Sequence, residues 1–197
     1  MTPTIRTLIP FAEDQNLGAA YNAEMDALPE GGWACLLDHD VMFTTKLWYS
    51  QMQAAIALRP EGTFTGLTNR ISITEGWQLP PGVDRNTHNI LYHRKLGNKL
   101  MQQKFELQDV TGAYQPTRGF CLLVNKNTWR KVGGFPDGLL GVDFGFHFRL
   151  REHRCPLYCI RNLYLYHFYR ADGDLSILAA PHYDFKQEPG FKIVLPD

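Results

Sequence analysis

The stretch Trp33-Ala34-Cys35-Leu36-Leu37-Asp38-His39-Asp40 decides the reading of this chain. Residues Trp33 to Leu37 follow Gly31-Gly32 and are apolar at every position. Such a run is too short for a helix. It has the pattern of a central strand buried on both faces of an α/β sheet. It passes directly into two carboxylates at i and i+2. Acids so placed can converge on one cation at the C-terminal edge of the sheet, where α/β folds bind ligands. A hard divalent cation takes oxygen ligands and leaves positions open for phosphate oxygens. Taken alone, the same residues also read as a polar turn, so the flanking chain matters.

Upstream, Ile5 to Phe11 reads as a strand stopped by Pro10, and Asn16 to Leu28 as an amphipathic helix ended by Pro29 and Gly31-Gly32. Downstream, Thr44 and Thr45 are candidate caps for a helix with Trp48, Met52, Ala55 and Ile56 on its inner side. Thr63 to Ile73 reads as one or two strands, and His88 to Leu107 as a longer helix. One face of that helix carries Arg94, Lys95, Lys99 and Lys104, either a solvated face or a contact for an anionic acceptor. Gly119 to Val124 reads as a strand, Asn127 to Val132 as a short helix and Val142 to His153 as a helix. Leu157 to Ile160 and Leu163 to Phe168 read as two further strands. Strands alternate with helices, which predicts one α/β layered domain.

The chain has 197 residues, room for one domain with a real core. Twenty basic and twenty acidic residues cancel, so no global field draws nucleic acid or an anionic membrane. The first ten residues lack a signal-peptide layout, and no apolar run is long enough to span a bilayer. Cys155 and Cys159 lack two further ligands for zinc, and Cys35 and Cys121 lie in apolar runs. A reduced, cytoplasmic setting is expected.

The order of segments resembles the family 2 type of GT-A glycosyltransferases over most of the chain. Thr4-Ile5-Arg6-Thr7-Leu8-Ile9-Pro10 is similar to that family's first strand, and Asn16-Leu17-Gly18-Ala19-Ala20-Tyr21-Asn22 to its Asn-x-Gly…Asn helix. Trp33 to Asp40 resembles the strand ending in Asp-x-Asp, and Arg118-Gly119-Phe120-Cys121-Leu122-Leu123-Val124 the acceptor-side strand. Val132-Gly133-Gly134-Phe135-Pro136-Asp137 resembles the family's Val-Gly-Gly-Phe-Asp segment. Gly141-Val142-Asp143 stands where the family has Gly-Glu-Asp, and His167 closes a strand where related enzymes often have a metal-binding His.

The resemblance implies a single GT-A-like (Rossmann-like) domain over residues 1–197, with a central mixed sheet flanked by helices. It implies a metal-dependent, inverting transfer of a sugar from a nucleotide-sugar donor to an acceptor hydroxyl. Asp38, Asp40 and His167 would hold the cation, and the mixed carboxylate and imidazole set leans toward Mn²⁺ over Mg²⁺. Asp143 would be the general base. Pro10, Gly18, Asn22, Asp38, Arg118 and Gly119 would border the donor, and Arg170 would meet phosphate. The chain departs from the family in two places. Val142 replaces the usual Glu, and only Ala12-Glu13-Asp14-Gln15 stands where a helix and a base-reading strand are expected.

Plainer roles remain open for these residues. His167 can be a half-buried ring among Tyr164, Tyr166, Phe168 and Tyr169. Asp143 can be a carboxylate favoured by a helix dipole. Gly18 and Asn22 can serve helix packing, and Arg170 can be solvated. Two other functions compete: a nucleotidyltransferase, disfavoured by the lack of a Gly-rich basic loop near the start, and a non-catalytic domain that binds a sugar-nucleotide or a partner.

Overall fold

A computed structural model describes residues 3–72 and 75–169. Strand β1 (Ile5–Leu8) leads through helix α1 (Leu17–Asp26) to β2 (Trp33–Leu37), then β3 (Val41–Phe43), α2 (Trp48–Leu58) and β4 (Thr63–Thr68). After a long loop come α3 (Ile90–Met101), β5 (Leu107–Asp109), β6 (Cys121–Asn125), α4 (Lys126–Lys131), α5 (Val142–Glu152) and β7 (Leu157–His167). The seven strands form one mixed sheet in the order β1-β2-β6-β4-β7-β3, with β5 paired to β7. The fold is therefore mixed α/β, a central mixed sheet flanked by helices.

Strands β1, β2, β4 and β7 run parallel to one another, while β6, β3 and β5 run against them. One edge of the sheet thus gathers the ends of β2, β4 and β7 with the start of β6. All five residues of β2 are buried because the sheet is covered on both faces. Ala34 and Leu36 pack into one core with Tyr21, Met25, Phe135 and Phe146. Trp33, Cys35 and Leu37 pack into the other with Met52, Ala55, Ile56 and Phe64. Fully burying a side chain of this size contributes about 1.5–3 kcal/mol, so β2 anchors the position of Asp38 firmly.

Several local expectations change. Thr44 does not cap α2; its hydroxyl donates to the Tyr164 carbonyl at 2.5 Å, and Leu47 takes the cap position without a side-chain bond. The expected long helix ends at Met101, and β5 follows. The two strands expected over 157–168 are one, because β4 and β7 shift register between Thr65 and Leu67. Asn162 sits in that irregularity. Its amide donates to the carbonyls of Leu100, Gln103 and Lys104 at 3.0–3.2 Å, and its oxygen accepts from Glu106 N–H at 2.8 Å. The irregularity thus fastens β7 to the end of α3 and the segment after it.

Among the described residues, no helix is long and apolar enough to cross a membrane.

Candidate metal centre

Asp38 follows the last residue of β2, and its N–H donates to the Phe120 carbonyl at 3.1 Å, just before β6. The chain then turns across the sheet edge into β3, whose Val41 stands opposite His167 at the end of β7. That register brings Asp40 to the imidazole. Asp40 Oδ1 lies 3.2 Å and Asp38 Oδ2 3.7 Å from His167 Nε2. One ligand atom from each residue falls within 4.8 Å of the others, close enough for a shared cation. His167 is buried, while the two carboxylates are part-exposed.

The chemistry of the donor set fits a divalent ion. His167 Nδ1 lies 2.9 Å from the Arg70 carbonyl, which can only accept, so that nitrogen carries a proton. A backbone carbonyl on the far ring nitrogen is the usual support of a metal-ligating His. Nε2 faces the Asp38 and Asp40 carboxylate oxygens, so a cation held by them would meet its lone pair. Asn69 fixes the strand end: its amide donates to His167 O at 3.2 Å and its oxygen accepts from His167 N–H at 2.8 Å. The Phe120 ring covers the imidazole at 5.6 Å between centroids.

The two acids differ in environment. Burial raises the Asp38 pKa, and the Asp40 charge adds to this against the opposing pull of His167. Burial also disfavours the Asp40 anion, but the His167 hydrogen bond, the neighbouring His charges and the Tyr169 N–H outweigh it and hold its pKa below the ordinary value. The Tyr169 N–H reaches Asp40 Oδ2 at 2.9 Å.

Asp143 lies in the first turn of α5, after Gly141 at φ 81°, a left-handed geometry that suits glycine. Its Oδ2 accepts from Gly119 N–H at 2.7 Å and its Oδ1 from Phe144 N–H at 3.0 Å. Burial pushes its pKa up to about 6; the Arg118 charge and the Gly119 N–H oppose the shift, and the Asp38 charge adds to it. Gly119 and Phe120 are consecutive, so one short segment ties Asp143 on one side and Asp38 on the other. Arg118 stacks its guanidinium over the Phe144 ring at 4.2 Å and donates to Ser72 Oγ at 2.9 Å. Arg118 and Gly119 therefore stand beside the Asp143 carboxylate.

Asn22, Gly18 and Pro10 stand apart from the aspartates in their contacts with the protein. Asn22 is engaged with the protein: its amide donates to Phe135 O at 2.8 Å, and its oxygen accepts from Trp129 Nε1 and Phe135 N–H, both at 2.8 Å. It fastens α1 to the segment after α4. Gly18 gives close approach to the chain itself, since a Cβ there would lie 1.8 Å from the Pro136 carbonyl oxygen. Pro10 follows β1, half-buried, and no hydrogen bond joins it to the aspartates. Arg170 lies outside the described residues. The sequence reading missed Asn69, the Arg70 carbonyl and the Tyr169 N–H, two of which act through backbone atoms that no residue identity reveals.

No protein-family model matches the chain, and no curated protein matches it either.

Proposed function

We propose that this protein is a metal-dependent glycosyltransferase of the GT-A type. The observation that carries the reading is the meeting of Asp38, Asp40 and His167 at one sheet edge, with Asp143 fastened to the same Gly119-Phe120 segment as Asp38. Asp38, Asp40 and His167 would hold a divalent cation, Mn²⁺ in preference to Mg²⁺ for a set that includes imidazole. When bound, the cation supplies positive charge against a donor diphosphate.

Asp143 has the features of a general base for an acceptor hydroxyl. A carboxyl held near 6 is ionised at neutral pH and takes a proton more readily than an ordinary carboxylate. A single displacement assisted this way inverts the anomeric centre. Arg118, stacked on Phe144 beside Asp143, would face the sugar or its phosphates.

A panel of nucleotide-sugars with Mn²⁺ tests the proposal. Release of nucleoside diphosphate, lost in Asp40→Ala, supports it. Pyrophosphate release from nucleoside triphosphates would indicate a nucleotidyltransferase. Donor binding without turnover, unchanged in Asp143→Asn, would indicate a binding domain.

A further inference from the structure

Helix α3 (Ile90–Met101) contains no acidic residue. Arg94, Lys95, Asn98 and Lys99 are exposed, as are Gln102 and Lys104 just beyond the helix. With Leu91 as i, Arg94, Lys95, Asn98, Lys99 and Gln102 fall at i+3, i+4, i+7, i+8 and i+11, one continuous stripe, and Lys104 lies past the helix end. Among the described residues no ion pair engages these cations. In a chain of zero net charge this is a segregated basic face.

The start of the helix lies at the end of β7 that carries His167. His88 Nδ1 is 2.7 Å from the Tyr166 hydroxyl, and the His88 ring stands 5.2 Å from that of Phe168, so both neighbours of His167 in sequence touch this segment. Buried His93 pins the first turn through a 2.7 Å contact with the Tyr164 hydroxyl. The stripe therefore runs back along β7, from its His167 end toward Asn162, for about 18 Å, the length of a 12-residue helix.

We infer that the outer face of α3 docks a nucleic acid, whose phosphates lie along Arg94, Lys95 and Lys99, with Lys104 beyond the helix end. As the identity of an acceptor, this rests on the transferase reading; the docking itself does not. Charge complementarity selects a polyanion. The amides of Asn98 and Gln102, interleaved with the cations, suit base edges and sugar-phosphate oxygens. An anionic membrane fits less well. A helix lying in a lipid interface turns an apolar face along its length to the lipid, whereas Leu96 and Leu100 of α3 pack against the protein core and, of its large apolar side chains, only Ile90 and Leu91, in its first turn, are exposed.

Fluorescence anisotropy with labelled DNA of about 20 nucleotides, single-stranded and duplex, and the matching RNA, tests this without donor or metal. Binding should weaken with salt, with a log–log slope of about −3 for three to four phosphates. The double variant Lys95→Glu/Lys99→Glu, shown folded by circular dichroism, should lose at least about tenfold in affinity, and Lys131→Glu on α4 should not. Absence of binding to every nucleic acid at low salt overturns the inference. So does binding that ignores the charge reversal, or charge-dependent binding to phosphatidylserine vesicles alone. Asp40→Ala should bind nucleic acid as the unmodified protein does. A failed donor panel with intact, α3-dependent docking would thus sink the transferase reading and leave this one standing.

Discussion

Asp40 and His167 meet at 3.2 Å, Oδ1 to Nε2, across the pairing of β3 with β7, while the other ring nitrogen faces the Arg70 carbonyl at 2.9 Å. The imidazole is held at both ends by oxygen, which fixes its orientation before any ion arrives. Removing either partner should therefore cut Mn²⁺ affinity by more than about tenfold, or about 1.4 kcal/mol. Calorimetric titration of Asp40→Ala and His167→Ala checks this. Wild-type affinity in both variants would show that the three residues do not form a cation site.

Asp143 should behave oppositely in stability and activity. Its pKa is raised from 3.8 to about 6, so the folded protein holds this proton more tightly than the unfolded chain does. Its contribution to stability is complete below 3.8 and is lost as pH rises through 6. Asp143→Asn removes the cost of the buried charge. The new amide nitrogen, however, faces the Gly119 or Phe144 N–H, so stability at pH 7 should change little while its dependence on pH around 6 flattens, read by urea denaturation. The same variant should lose transfer, and wild-type rates should climb through pH about 6 as the base ionises.

His147 predicts loss of stability in acid. It is fully buried, accepts from Thr117 N–H through Nδ1 at 2.9 Å and faces Thr111 O through Nε2 at 3.0 Å, the pattern of a neutral ring. Burial lowers its pKa from 6.5 to about 4. The stability it contributes is present above 6.5 and is lost as pH falls through 4, about 3 kcal/mol in all. In an Asp143→Asn background, which removes the opposing contribution of that carboxyl, urea midpoints should fall between pH 7 and 4, and adding His147→Gln should flatten that dependence.

Asn22→Ala should destabilise the fold by about 2 kcal/mol, because it strands the Trp129 indole N–H and the Phe135 N–H. Mn²⁺ affinity should not change. A large loss of donor binding with unchanged stability would instead give Asn22 a ligand role.

What could be read in advance was local. The run Trp33–Leu37 and the acids after it are adjacent in sequence, and Asp143 stands in its helix's first turn. What could not be read depended on distant partners. Three-residue β3 has no pattern of its own and exists through its pairing with β7. The joining of two short strands into β7 turns on Asn162, whose amide serves carbonyls about sixty residues earlier. The hydrogen bonds of Asn22 to Trp129 and Phe135, more than a hundred residues away, could not be read from its motif.

The Gly119-Phe120 segment makes the two acids mechanically dependent. A Cβ at 119 would stand 2.8 Å from that of Asp143, so any side chain there would push on α5, and the same shift would pull on the peptide that tethers Asp38. An engineer wishing to adjust one carboxylate alone would have to work from neighbours other than Gly119 and Phe120, since a change at this hinge retunes both together.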